Sequence, residues 1–231
     1  MLATLLAVSL GTAPAAYDQA RVNPDSTRQT LATQWSKDKA GTRKKAKQAL
    51  LEYLDGQAFP AWSGTPWAFS GTSTTPKEGT IACGYFVTTV LEQAHLRIER
   101  VRLAQQASAF LVSTLARGSV VEWLRPADVK EALTEMRRRF PDGLLVVGFD
   151  LHVGFIRVDG ERAQFCHSSY LEPGVVTCED PLTAGAFVSS VYVVADALND
   201  ALLDDWVLGH AVPSVLPKRR AALDDSRPSA R

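Results

Sequence analysis

Residues 151–169 read Leu151-His152-Val153-Gly154-Phe155-Ile156-Arg157-Val158, then Asp159-Gly160, then Glu161-Arg162-Ala163-Gln164-Phe165-Cys166-His167-Ser168-Ser169. Two β-prone runs joined by Asp-Gly predict an antiparallel hairpin with a two-residue loop. With Asp159-Gly160 as that loop, Val158 pairs with Glu161. His152 and His167 are then equally distant from the turn. Directly opposed residues share one face of the sheet, with Cα atoms about 4.5–5.5 Å apart. His152 sits in a stretch apolar on both faces, which predicts a covered strand and an imidazole that needs a partner. Alternation puts Cys166 on the face away from His167, so Cys166 is a poor nucleophile candidate.

Upstream, a helical pattern of Phe86, Val87, Val90, Leu91 and Ala94 follows Cys83-Gly84-Tyr85. The β-branched run Val87-Thr88-Thr89-Val90 forms a helix poorly by itself, so packing has to hold it. Cys83 stands where a loop rich in Gly, Pro, Ser and Thr enters this helix. Free N–H groups at a helix start favour thiolate and can receive an oxyanion. The loop carries Trp62, Trp67 and Phe69, as cleft lining or as a cap on the core. A second helix is expected from Pro126 to Phe140, strands over 144–147, 151–158, 161–169 and 188–194, and a short helix over 197–206. Residues 96–125 give no clear pattern.

The thiol before the two histidines, on helix and then hairpin, resembles the NlpC/P60 family of papain-like cell-wall cysteine peptidases. The matching pieces are Thr65-Pro66-Trp67-Ala68-Phe69-Ser70-Gly71, Ala82-Cys83-Gly84-Tyr85-Phe86-Val87, His152-Val153-Gly154-Phe155-Ile156 and Phe165-Cys166-His167-Ser168-Ser169. The resemblance spans roughly residues 60 to 195. It implies an α+β papain-like fold with the nucleophile on a central helix against an antiparallel sheet. It also implies Cys83 as nucleophile, His152 as base and His167 orienting His152. Trp67, Phe69 and Gly84 would contact substrate, a peptide or the peptidoglycan stem peptide. The family's Asp before the thiol, Ser after it and loop tyrosine are replaced by Ala82, Gly84 and Trp67. These departures motivate an inactive wall- or peptide-binding module as the alternative. A thiol acyltransferase ranks last, because the permuted acyltransferases place His before Cys.

The chain outside these segments sets the context. The apolar run Leu2–Leu10 and Ala13-Pro14-Ala15-Ala16 read as an export signal over 1–16, too short for a membrane anchor. Residues 17–58 read as a helical lead-in starting near Asp25 or Ser26, interrupted at Gly41 and ending near Asp55. Its Lys37, Lys39, Arg43, Lys44, Lys45 and Lys47 suit either a solvated face or a grip on an anionic polymer. Residues 59–212 form the hydrolase domain, and 213–231 a charged tail expected to be disordered. With 25 Lys+Arg against 25 Asp+Glu, no global field argues for nucleic acid. Cys166 and Cys178 could bridge in an oxidising compartment, leaving Cys83 free. His95 and His210 stand alone, so no metal is expected, and nothing calls for a cofactor. The sequence does not fix the oligomeric state.

Overall fold

The computed structural model describes residues 17, 18 and 22–214. The export signal expected over 1–16 and all but the first two residues of the tail expected over 213–231 lie outside the described residues. The lead-in forms α1 (Val22–Gln34) and α2 (Lys39–Tyr53). The break falls at residues 35–38 and not at Gly41: the Asp38 carboxylate caps α2 by accepting the Gly41 N–H at 2.8 Å. A Cβ on Gly41 would lie 2.0 Å from Asp38 Oδ2, so a larger residue there would turn the capping carboxylate aside. From α2 the chain passes through a π-helical turn (Leu54–Ala58) into α3 (Phe59–Trp62). Pro60 has no N–H to continue an α-helical ladder there.

Next come α4 (Cys83–Gln93), α5 (Arg100–Ala104), α6 (Ser108–Leu115) and β1 (Glu122–Leu124). Then follow α7 (Val129–Arg139), β2 (Asp142–Gly148), β3 (Val153–Asp159), β4 (Arg162–Ser168), β5 (Val176–Glu179), β6 (Tyr192–Asp196) and α8 (Asp200–Leu208). The fold is α+β. Its six strands run antiparallel in the order β1-β6-β2-β3-β4-β5.

Alternation along the strands gives the sheet two covered faces. Leu144, Val146 and Phe155 join a core with Leu50, Leu54, Phe86, Leu91 and Trp206, so the 17–58 segment packs into the same core as α4. Leu145, Val147, Ile156 and Phe165 meet Leu133 and Met136 of α7 on the other face. Burial of Phe86, Val87, Thr88, Thr89 and Val90 is what holds the β-branched run of α4 helical. The basic face of α2 is engaged within the molecule. Arg43 Nε lies 2.6 Å from Asp204 Oδ1 and Nη1 3.0 Å from Asp200 Oδ2, both on α8, and Lys47 Nζ lies 3.3 Å from Asp196.

The hairpin register differs from the expected one by two residues. Asp159 pairs with Arg162 and Phe155 with Cys166, so the loop is Gly160-Glu161. Gly160 takes φ +54°, and Glu161 is not among the positive-φ residues, so glycine occupies the first position of the turn as type II′ requires. A slip of two leaves every side chain on its face. His152 and His167 are therefore diagonal neighbours on one face, not opposed partners.

Candidate active site

Cys83 opens α4. The preceding Ala82 is extended, caps nothing with its side chain, and donates its N–H to Gly71 O at 2.9 Å. The first intrahelical bond runs from Phe86 N–H to Ala82 O at 2.8 Å, leaving the earlier N–H groups of the helix start without helical acceptors. Ser168 Oγ, at the end of β4, donates to Ile81 O at 2.7 Å and ties the loop before Cys83 to the sheet. The glycine after the thiol is required by packing. A Cβ on Gly84 would come within 2.4 Å of the Ala104 carbonyl oxygen at the end of α5.

His152 lies one residue before β3, in the 149–152 connection from β2, where Phe149 N–H donates to His152 O at 2.8 Å. Its Nε2 is 2.8 Å from Nδ1 of His167. His167 Nε2 is in turn 2.9 Å from Oε1 of Glu179 at the end of β5. Extending the register sets Gly154 opposite His167. A Cβ there would lie 2.6 Å from the Phe165 ring and 2.9 Å from His167 Cβ. The missing side chain at Gly154 makes room for His167, whose ring stacks on Phe165 with centroids 4.0 Å apart.

Burial governs the charges here. It pushes His152 down to about 3, helped by His167, and pushes His167 down to about 3. Both rings are neutral near pH 7. Burial also pushes the Cys83 thiol up, against the opposite pull of the backbone N–H groups of Val153, Gly84 and Cys83. The expectation that the helix start acidifies the resting thiol is therefore corrected. Desolvation outweighs the helix-start N–H groups, and the resting thiol and imidazoles are neutral. Nδ1 of His152 is buried and has no hydrogen-bond partner among the described residues, and the Cys83 thiol is not bonded to it. The two groups line one cavity of about 460 Å³, together with Ser108, Arg125, Asp150 and Val153. α4 packs on the face of β3 and β4 that carries Phe155 and Cys166. The histidines alternate to the other face, and of the two only His152, just before β3, lines the cavity, with His167 behind it.

A second cavity of about 730 Å³ adjoins the thiol, lined by Trp67, Phe69, Tyr85, Leu151 and Tyr170. Trp67 is half-buried, with its ring 6.3 Å from Tyr170, while Phe69 is 89% and Leu151 88% exposed at the rim. Gly84 lines both cavities. The structure thus gathers Cys83, His152, His167, Trp67, Phe69 and Gly84 at one end of the sheet. Sequence reasoning missed Glu179 and Tyr170. Tyr170 brings a phenol to the site, its ring centroid 5.3 Å from that of His152. Cys166 pairs with Cys178 across β4 and β5 and is bonded to it, leaving Cys83 as the free thiol among the described residues. That pairing was the signal for Glu179: with Cys166 opposite Cys178, antiparallel pairing sets Glu179 opposite Phe165 and diagonal to His167 on the same face.

Among the described residues no cluster of His, Cys, Asp or Glu could hold a metal, and no helix is long and apolar enough to cross a membrane. Comparison with family models, curated proteins and solved structures gives no match to this chain.

Proposed function

We propose that this protein is a papain-like thiol hydrolase of the NlpC/P60 type, exported, that cleaves an amide bond in a peptide such as the peptidoglycan stem peptide. One observation carries the reading. A buried imidazole nitrogen with no partner among the described residues, Nδ1, belongs to His152, which lines one cavity with the thiol at a helix start. A buried polar atom left unpaired costs free energy, roughly 1–3 kcal/mol, and such costs cluster where a ligand or a reaction uses the group.

The chemistry then follows from the groups present. Nδ1 of His152 takes the Cys83 proton as Sγ attacks the scissile carbonyl carbon, and the free N–H groups at the start of α4 receive the developing oxyanion. The tetrahedral adduct collapses with cleavage of the C–N bond. The imidazolium returns its proton to the leaving amine, and the acyl group stays on sulfur as a thioester. Water, deprotonated by the same nitrogen, attacks the thioester, releasing a carboxylic acid and restoring the thiol. A neutral resting pair suits this sequence, because the ion pair forms only as substrate arrives. The Arg125 and Asp150 side of the thiol suits charged groups of a stem peptide, and the Trp67 and Tyr170 side suits an apolar substituent. The cross-strand disulfide supports an oxidising compartment.

Incubation with muropeptides and small peptides should yield a product that disappears in Cys83→Ala and in His152→Ala. Unchanged product in Cys83→Ala, or no product with any substrate, sinks the proposal. The raised thiol favours one other reading, a peptide-binding module without turnover. That module would bind its peptide stoichiometrically, release no cleaved product, and bind equally well as Cys83→Ala.

A further inference from the structure

The chain of imidazoles ends on a carboxylate that the hydrolase reading does not use. Glu179 Oε1 faces Nε2 of His167 at 2.9 Å. Nδ1 of His167 faces Nε2 of His152 at 2.8 Å. We propose that Glu179 is a positioning residue that sets the tautomer of both histidines, and that the Cys166–Cys178 disulfide holds it there, making the site competent only in the oxidised protein. This rests on the hydrolase reading given above.

The tautomers follow by elimination. A carboxylate has only acceptor lone pairs, so Nε2 of His167 carries its hydrogen and donates. A neutral imidazole has one N–H, so Nδ1 of His167 is an acceptor. Nε2 of His152 must then donate to it. The one remaining nitrogen, Nδ1 of His152, is left with a lone pair and no partner among the described residues, on a residue that lines one cavity with Cys83. That is the state a general base for the thiol requires. With Glu179 removed, nothing fixes the first hydrogen. The pair can then run the other way, with Nδ1 of His152 protonated and unable to accept from the thiol. Burial of both rings strengthens the argument, because it disfavours an imidazolium that would donate from both nitrogens.

The disulfide enters through position. Glu179 is the last residue of β5, a four-residue strand at the edge of the sheet. Cys178, directly before Glu179, is paired with and bonded to Cys166, directly before His167. Beyond the bridge only the pairing of Glu179 with Phe165 continues the ladder, and strand ends at sheet edges are where local opening is easiest. A dithiol reductant breaks the Sγ–Sγ bond, each sulfur taking one electron and one proton, while the reductant becomes its own disulfide. The end of β5 is then free to leave β4, taking the carboxylate from His167.

Long-range 1H–15N spectra of the imidazole side chains test this without relying on turnover. The oxidised protein should show Nε2–H on both rings and a bare Nδ1 on His152. Glu179→Ala should mix the tautomers, and Glu179→Gln should restore them, since its amide oxygen still accepts. Reduction, or the double variant Cys166→Ser/Cys178→Ser, should give the Glu179→Ala pattern. In the same preparations, Cys83-dependent cleavage should fall by about 10- to 100-fold in kcat with little change in KM. Wild-type tautomers in Glu179→Ala, or in the reduced protein, overturn the inference. Wild-type tautomers in an oxidised protein that cleaves nothing overturn the hydrolase reading alone and leave the tautomer assignment standing.

Discussion

Replacing Gly84 by serine would bring the sequence closer to the peptidase family it resembles, yet the structure predicts damage. Two effects oppose each other. Serine in a helix is favoured over glycine by roughly 0.5 kcal/mol. Against that, a Cβ at this position would stand 2.4 Å from the Ala104 carbonyl oxygen and 3.2 Å from its carbon. The obstacle is backbone, so no rotamer change relieves it, and α5 or the start of α4 must move. Forced overpacking of this kind costs about 1–3 kcal/mol, which leaves a net loss of about 0.5–2.5 kcal/mol. For a chain of this size each kcal/mol corresponds to about 2–4 °C, so Tm should fall by about 1–10 °C. Thermal unfolding followed by circular dichroism reads this directly. A Gly84→Ser protein melting at or above the wild-type temperature would refute the packing argument, because propensity alone would then have decided the sign.

Gly154→Ala should lower the urea midpoint by the equivalent of about 1–3 kcal/mol, since the new methyl meets the Phe165 ring at 2.6 Å and His167 Cβ at 2.9 Å. Cleavage should fall further than stability does, and equal losses would mean that His167 had not been displaced from His152. Both histidines have folded-state values near 3, below the unfolded value near 6.5. The unfolded chain therefore binds more protons in that window, and stability is lost as pH falls from about 6.5 towards 3, by up to ~1.4 kcal/mol per pH unit for each ring. Denaturation series at pH 7, 6, 5 and 4 should show this slope in the wild type, and an identical slope in the His152→Ala/His167→Ala double variant would count against it. Phe69→Asp and Leu151→Asp remove large apolar side chains that are 89% and 88% exposed, so stability should stay within about 0.5 kcal/mol. KM for substrates with an apolar group beside the scissile bond should rise several-fold, and an unchanged KM would remove this groove from substrate binding.

Local pattern was enough for much of the fold. Helical periodicity located α4 and α7, and two-residue alternation with an Asp-Gly turn located β3 and β4. The placement of both imidazoles on one face survived a wrong turn, because a register slip of two leaves the faces unchanged. Residues 96–125 were not legible, since α5 and β1 are too short for periodicity to show and are held by neighbours distant in sequence. The break in the lead-in was misplaced for a related reason. Gly41 looks like a breaker, but it lies inside α2 and donates its N–H to the Asp38 cap.

The amino-acid order by itself determined which side chains could carry the chemistry: a free thiol at a helix start, two histidines of matching parity, and two further cysteines able to bridge. Only the tertiary structure decided their state. Burial, which depends on every element packed around the site, raised the thiol and lowered both imidazoles, reversing the local influence of the helix start. Tyr170 and Glu179 come from beyond the hairpin, and their meeting with His152 and His167 is a matter of strand order and register. Contacts across a sheet are set by which strands pair and how far they are offset, and neither quantity is written in the local spacing of residues.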